Sequence, residues 1–259
     1  MKALRLLLFV LPVILLGGAL LLPPVPAGIS VVLGVAGIAL VMDGLLRPGS
    51  RTLLPALRRA GATRPRVALT FDDGPHPRDT PAILKILDEA GVRATFFFVG
   101  KKAREHPELV RRAALAGHEV GNHSDTHPWW FSLAGSGRIR REIDEAGRTL
   151  EDLTGHPVRF FRPPVGHKNL FLGDALRGTG LEVVTWSARP FDTLARSPER
   201  IRRSVIAAAM PGEIILLHEG VRRSPGAPSR TVAALPSIIR GLREKGLEPV
   251  TLGKLLETP

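Results

Sequence analysis

Two adjacent carboxylates, Asp72 and Asp73, follow a short apolar run at 67–71, and His123 and His127 occur about fifty residues later. The run predicts a buried strand, and the Gly-Pro pair behind the carboxylates predicts a turn at its end. A spacing of four brings the two imidazoles to one side of a helical turn. One carboxylate and two histidines form a ligand set for a divalent metal with open positions. The second carboxylate would then act as a base on water, which indicates hydrolysis.

Composition excludes several other kinds of site. The 259-residue chain has no cysteine, so disulfides and thiolate metal sites are absent. Its net charge of +12 would suit nucleic acid, an anionic membrane surface or an anionic polymer. The arginines are spread along the chain, without a lysine run or a basic stripe interleaved with aromatic residues. We therefore expect no nucleic-acid partner.

The first 46 residues are much more apolar than the rest. Residues 6–22 are wholly apolar, and a second apolar stretch covers 28–42. Each is near the length of about 20 residues that spans a bilayer, so we expect one or two N-terminal transmembrane helices, preferably a hairpin, and localisation at a cell membrane. A cleaved signal peptide ending near residues 25–27 is the alternative. With two spans, the rest of the chain would lie on the cytoplasmic side of the membrane, and with one span it would lie outside. Both locations are therefore considered.

Strand-like and helix-like segments alternate after a basic connector at 47–65. Such alternation over 66–259 predicts one α/β domain with a parallel sheet, and about seven units predict a closed or nearly closed barrel. Like the two aspartates and His123, Arg162, Asp192 and His218 follow predicted strands. Functional residues of such barrels gather at the carboxyl ends of the strands, so these side chains are expected to share one site.

Four short motifs resemble, in their order, those of the polysaccharide deacetylases, the NodB-homology or carbohydrate esterase family 4 enzymes. The motifs are Thr70-Phe71-Asp72-Asp73-Gly74-Pro75, His123-Ser124-x-x-His127, Arg162-Pro163-Pro164 and Leu216-Leu217-His218. The resemblance covers residue 66 to the end of the chain. It implies a distorted (β/α) barrel that removes acetyl groups from N-acetylated sugars, here in a cell-envelope glycan resembling peptidoglycan or chitin.

The resemblance also implies a division of roles among the site residues. Asp73, His123 and His127 would bind a divalent metal, usually zinc. Asp72 would be the general base that takes a proton from water. His218 would be the general acid that protonates the leaving amine.

Five further residues are expected to support these groups or to meet the substrate. By resemblance, Arg162 would keep Asp72 ionised and oriented, and Asp192 would pair with His218. Negative charge develops on the carbonyl oxygen during amide hydrolysis, and the metal and the backbone N–H of Val165 are expected to stabilise it. The residues expected to contact substrate are Pro164, Val165 and Trp186.

Two departures from the family pattern keep other readings open. Val165 stands where the family usually has an aromatic residue, and Asp192 is followed by Thr193 instead of tryptophan. Both reduce the platform for a polymeric sugar, so the alternative is a deacylase or deformylase of a lipid-linked sugar. A third reading is a sugar-binding module that has lost catalysis, against which the intact set of ligands, base and acid argues. Acyl group, sugar and oligomeric state stay open.

Overall fold

The computed structural model of the chain describes residues 27–46, 50, 53–220 and 229–257. Helices of four residues or more are α1 (Ala27–Leu46), α2 (Asp79–Glu89), α3 (Gly100–Glu105), α4 (Pro107–Leu115), α5 (Ser136–Thr154), α6 (Leu172–Ala175), α7 (Pro198–Ala208), α8 (Arg230–Glu244) and α9 (Leu252–Leu256). Strands are β1 (Arg66–Gly74), β2 (Thr95–Phe98), β3 (Glu119–Asn122), β4 (Phe160–Phe161), β5 (Glu182–Val183), β6 (Ile214–His218) and β7 (Glu248–Val250). The predicted alternation of strands and helices is confirmed, although α3 and α9 were not predicted.

The two predicted membrane spans have different outcomes. The first, at 6–22, lies outside the described residues. The second lies within α1, which is helical as the apolar stretch predicts. Within the described part of the chain, no helix combines the length and apolarity that crossing a bilayer requires, so the second predicted span is not supported.

The seven strands form one sheet whose paired strands are all parallel. The order along the sheet is β5-β4-β3-β2-β1-β6, and β7 also pairs with β1. The register places Asp72 opposite His218 on β6 and Phe97 on β2. Parallel pairing therefore brings the carboxyl ends of the strands, with their motif residues, to one edge of the sheet.

Alternation along β1 sends successive side chains to opposite faces of the sheet. Val67, Leu69 and Phe71 are fully buried in the larger core, which includes apolar residues of α2 and α8. Ala68 packs in a second core with Phe97 of β2 and with residues from the two ends of the sheet. A buried leucine or phenylalanine contributes roughly 1.5–3 kcal/mol, so the two faces together fix the register of β1 and hence the position of Asp72.

Part of the predicted connector at 47–65 is an ordered piece of the barrel wall. Leu57 forms a parallel bridge with Val184 behind β5, and Arg59 forms an antiparallel bridge with Glu213 ahead of β6. Arg59 also pairs through its guanidinium with the buried carboxylate of Glu213. Residues 57–59 thus join the two ends of the open sheet. This segment is rich in arginine and proline, so its composition does not predict a strand. Its role in closing the barrel is evident only from its pairing with residues 184 and 213.

Candidate active site

Three potential metal ligands converge at the carboxyl edge of β1 and β3. Asp73 Oδ1 lies 3.4 Å from His127 Nε2 and 3.6 Å from His123 Nε2. One donor atom from each residue lies within 4.8 Å of the other two. Zinc bound at 2.0–2.2 Å with tetrahedral geometry would place its ligand atoms about 3.4 Å from each other. The predicted set of Asp73, His123 and His127 therefore fits a divalent metal.

A hydrogen bond fixes which nitrogen of His123 faces the metal position. His123 Nδ1 lies 2.7 Å from the backbone carbonyl oxygen of Arg162, which can only accept. The proton therefore sits on Nδ1, and Nε2 presents its lone pair toward Asp73. The His123 ring is buried, whereas about a third of the side chains of Asp73 and His127 is exposed. The cluster is therefore open to solvent on one side.

The charges within this cluster favour the state that binds a metal. Burial raises the pKa of Asp73, but when His123 and His127 are protonated, a hydrogen bond from His123 and the charges of both rings outweigh burial and hold the pKa well below its usual range. Burial lowers the pKa of His127, and the neighbouring His123 lowers it further. An ionised carboxylate beside a neutral imidazole is the protonation state that a metal requires.

The two histidines meet through a loop rather than through the predicted helical turn. No helix covers 123–127, and the rings lie 4.9 Å apart between centroids. Ser124 and His127 have left-handed backbone, with φ of 65° and 50°. The backbone N–H of His127 donates to Ser124 Oγ at 3.1 Å, which stabilises this turn. The convergence of the imidazoles was predicted, but the helical spacing argument was wrong about its cause.

Asp72 is bound through one of its oxygens by a buried arginine beside the metal ligands. Arg162 Nη1 donates to Asp72 Oδ1 at 2.6 Å and to Thr70 Oγ1 at 2.8 Å. Arg162 is fully buried, with its guanidinium carbon 4.0 Å from the centroid of the Phe97 ring. The other oxygen of Asp72, Oδ2, lies 3.8 Å from His123 Nε2. Arg162 thus pairs with Asp72, and Oδ2 is left facing the metal position.

His218 and Asp192 form a second hydrogen-bonded pair across the site. Asp192 Oδ1 lies 2.9 Å from His218 Nδ1, and its Oδ2 accepts from the His218 backbone N–H at 2.7 Å and from Thr231 Oγ1 at 2.9 Å. Burial opposes protonation of His218, but the hydrogen bond and charge of Asp192, with the charges of Asp72 and Asp73, outweigh it and raise the pKa. The imidazole is thereby suited to donate a proton.

The predicted substrate contacts lie on one wall but differ in exposure. Val165 is 53 % exposed, whereas Pro164 is buried and Trp186 is only 8 % exposed. The Trp186 ring packs so closely on Gly166 that a Cβ there would lie 2.3 Å from it. Among the described residues, none accepts a hydrogen bond from the backbone N–H of Val165. The wall therefore offers the Val165 amide and side chain to a substrate, with Trp186 packed behind them.

Left-handed backbone is concentrated around this site. Within the described residues, the non-glycine residues with positive φ are Asp73, Ser124, His127, Val165 and Phe191. Asp73 lies near the carboxyl end of β1, and the other four follow strands at the edge that carries the motif residues. Such a conformation is rare for a β-branched residue such as Val165 and costs about 1–3 kcal/mol. Strain of this kind persists where the surrounding structure over-determines it, as at binding and active sites.

Sequence reasoning missed two residues that contact the site. Lys102 on α3 donates from Nζ to the backbone carbonyl oxygen of Asp73 at 2.6 Å. Glu219 is fully enclosed behind His218, where it accepts from Thr80 Oγ1, and burial raises its pKa to about 8. Glu219 could have been noticed because it directly follows the motif residue His218. Lys102 could not, because nothing in the sequence distinguishes it from the adjacent Lys101.

Comparison with known proteins agrees with this geometry. Residues 59–184 match the model of the polysaccharide deacetylase family. A chitooligosaccharide deacetylase of Azorhizobium caulinodans is 37% identical over 194 residues, which cover 71% of this chain and 92% of the relative. A peptidoglycan-N-acetylglucosamine deacetylase of Bacillus cereus is 34% identical over 192 residues, covering 73% and 87%.

Solved structures with this fold include both an enzyme and a pseudoenzyme. The peptidoglycan N-acetylglucosamine deacetylase Bc1960 has a TM-score of 0.71 at 33% identity, with 79% of this chain and 94% of that one covered. BA3943 of Bacillus anthracis, a carbohydrate esterase family 4 pseudoenzyme, has the same TM-score at 28% identity, covering 78% and 69%. The fold alone thus leaves catalysis open. By sequence and fold, the chain belongs to the polysaccharide deacetylases of carbohydrate esterase family 4, with NodB homology.

Proposed function

We propose that this protein is a metal-dependent hydrolase that removes N-acetyl groups from amino-sugar residues of a cell-envelope glycan. The observation that carries the proposal is the separation of two adjacent aspartates into two environments. Asp73 points at the two histidines, while Asp72 is bound to Arg162. A ligand carboxylate beside a base carboxylate suits metal-assisted amide hydrolysis, and a binding module would need neither.

The donor set suits zinc, which prefers nitrogen and carboxylate ligands with a position left open. When bound by Asp73, His123 and His127, such a cation would polarise the amide carbonyl and lower the pKa of water from about 16 toward roughly 7. Zinc is part of the proposal because the same ligands also suit other divalent metals.

The residues around this position would divide the proton transfers between them. Asp72 Oδ2 accepts a proton from the attacking water, whose oxygen bonds to the carbonyl carbon. The Val165 N–H donates to the carbonyl oxygen as negative charge develops there. His218 gives its proton to the amide nitrogen as the carbon–nitrogen bond breaks, which releases acetate and a free amine. Arg162 holds the base carboxylate in position, and Asp192 keeps the acid protonated.

A second candidate is deacylation or deformylation of a lipid-linked sugar. The observation that favours it is the wall at Val165, which lacks an aromatic platform for a sugar chain. Exposed apolar side chains near the site, Val165 and Phe191 among them, would tolerate an acyl chain. Both candidates use the same chemistry and differ only in what carries the amide. Localisation at a cell membrane stays a prediction, to be tested by fractionation.

The test is acetate release from N-acetylated chitooligosaccharides and from peptidoglycan strands, by chelator-treated protein with and without added zinc. Zinc-dependent release from either glycan supports the proposal. Release from a lipid-linked amino sugar alone favours the second candidate. If the protein binds zinc but hydrolyses none of these three substrates, both candidate functions are contradicted. The protein would then be a pseudoenzyme.

A further inference from the structure

Arg189 is an exposed cation on the loop that connects β5 to Asp192. Its neighbours Ala188 and Pro190 are buried, so the loop is anchored on either side of it. Arginines elsewhere, such as Arg104, Arg140 and Arg202, pair with carboxylates. Among the described residues, Arg189 has no carboxylate within ion-pair distance and no hydrogen-bond acceptor. Its N–H donors are therefore available to a ligand.

Two aromatic rings hold this guanidinium in place. Its central carbon lies 4.8 Å from the centroid of the Phe191 ring and 5.5 Å from that of Trp186. Contacts with ring faces leave the in-plane N–H donors unused. Phe191 reaches its position through left-handed backbone, with φ of 53°. The loop thus restricts an arginine that would otherwise be mobile, which lowers the entropy lost on binding.

The position of Arg189 ties it to the active site. Trp186 packs on Gly166, next to Val165, whose amide is the proposed donor to the reacting carbonyl. Asp192, three residues after Arg189, binds the proposed acid His218. The cation therefore lies at the edge of the site, between the Val165 wall and the His218 side.

We infer that Arg189 binds an anionic group of the substrate, a carboxylate or a phosphate carried by the amino-sugar glycan close to the amide that is cleaved. This inference rests on the proposed deacetylase function and narrows its substrate class. A guanidinium presents two parallel N–H donors that match the two oxygens of a carboxylate or phosphate. Neutral N-acetylglucosamine chains offer no such group, so Arg189 would make the enzyme selective for charged glycans.

The test compares kcat/KM on three probes: a neutral N-acetylglucosamine tetramer, peptide-free peptidoglycan strands with free lactyl carboxylates, and an N-acetylglucosamine oligomer with a terminal phosphate. For Arg189→Met, we expect the ratio of kcat/KM on the preferred anionic probe to that on the neutral tetramer to fall about 10- to 100-fold, as for a lost charge-assisted hydrogen bond. Arg189→Lys should retain part of the preference. The anionic probe whose kcat/KM ratio falls in Arg189→Met shows whether Arg189 binds a carboxylate or a phosphate.

Arg111→Met is the matched control, because it removes one exposed positive charge from α4, away from the catalytic edge. Its ratio should equal that of the wild type, and added salt should weaken the wild-type preference. An unchanged ratio in Arg189→Met, or an equal fall in Arg111→Met, would overturn the inference.

Failure of the proposed function would give a different result, namely no hydrolysis of any probe by the wild type. Equilibrium binding of the carboxylated strands and the phosphorylated oligomer, measured by calorimetry, then decides the role of Arg189. If either probe binds more weakly to Arg189→Met than to Arg111→Met, Arg189 binds the anionic group. If each probe binds equally to the two variants, this role of Arg189 is excluded.

Discussion

Among single residues, Asp72 and Asp73 show how two adjacent carboxylates acquire different roles. β1 continues to Gly74, but its pairing with β2 is irregular at Asp73: Asp72 pairs with Phe97 and Gly74 with Phe98, whereas Asp73 between them has left-handed backbone with φ of 69°. Their side chains therefore leave the chain in different directions, one toward Arg162 and the other toward the histidines. The motif Asp-Asp-Gly-Pro predicts both carboxylates but not this divergence, which depends on the turn.

Asp192 is expected to set the alkaline limit of activity. Its carboxylate raises the pKa of His218 against the effect of burial, so removing the charge must lower that pKa. Activity requires the protonated imidazole and is lost as pH rises through its pKa. In Asp192→Asn the alkaline limb of the kcat/KM profile should therefore move to lower pH, with bound metal unchanged. A limb that stays in place would remove Asp192 from the control of His218.

Lys102 is expected to be a positioning residue for the metal ligand Asp73. Its ammonium binds the carbonyl oxygen of Asp73, whose backbone conformation is strained. Loss of a group that hydrogen-bonds to a metal ligand weakens metal binding by about 10- to 100-fold. For Lys102→Met we expect zinc affinity to fall by about 10-fold. Competition with a chelator measures the zinc affinity of each variant. Lys102→Arg should recover part of the affinity that Lys102→Met loses.

The adjacent Lys101 supplies the control for that comparison. It is exposed on the same helix, so Lys101→Met removes the same charge with no contact to Asp73. Equal affinities of the Lys101 and Lys102 variants for zinc would show that only the overall charge matters.

At the scale of elements, the short 3-10 turn Pro164–Gly166 connects β4 to the substrate wall. Gly166 has φ of 70°, and its missing side chain admits the Trp186 ring. Gly166→Ala combines backbone strain with displacement of that ring, so we expect a loss of about 2–4 kcal/mol in unfolding free energy and a lower kcat/KM. Chemical denaturation and acetate release measure the two effects.

Gly178 separates these two causes. Its φ of 77° is equally left-handed, but a Cβ there would meet no atom within 4 Å. Gly178→Ala should therefore lose only the conformational part, about 1 kcal/mol, and keep its activity. If both variants lost the same stability and activity, the contact with Trp186 would be unimportant.

The sequence predicts most of the elements because their apolar periodicity matches the period of a helix or strand. β1, for example, was expected at 67–71 and extends over Arg66–Gly74. Among the features that escaped prediction, three depend on tertiary contacts: the closure of the barrel by residues 57–59, the loop that joins the two histidines, and the lysine behind Asp73. In each case the local sequence has no periodicity or cap that reports the partner.

At the scale of the whole molecule, buried titratable groups make stability depend on pH. His118 is buried on the barrel side opposite the motif residues, where its Nδ1 accepts from the Ala94 backbone N–H at 3.1 Å. Burial, together with the smaller effect of the charge of Arg93, lowers its pKa from 6.5 to about 4. The unfolded chain therefore binds the proton first, and this contribution to stability is present above about pH 6.5 and is lost as pH falls toward 4.

His118→Asn tests this dependence, because the amide oxygen can accept the same hydrogen bond but does not titrate. We expect the urea midpoint of the variant to fall less than that of the wild type between pH 6.5 and pH 4. His156→Asn, at an exposed position, is the control and should follow the wild type. Parallel curves for all three proteins would show that His118 does not set the acid limit.

The division of labour between the adjacent aspartates is tested most directly by one paired measurement on Asp72→Asn: bound zinc per chain and the rate of acetate release. We predict one equivalent of zinc, as in the wild type, with turnover lower by about a hundredfold or more, because a general base is lost while the ligands remain. Full activity, or loss of the zinc, would contradict the assignment of Asp72 as base and Asp73 as ligand.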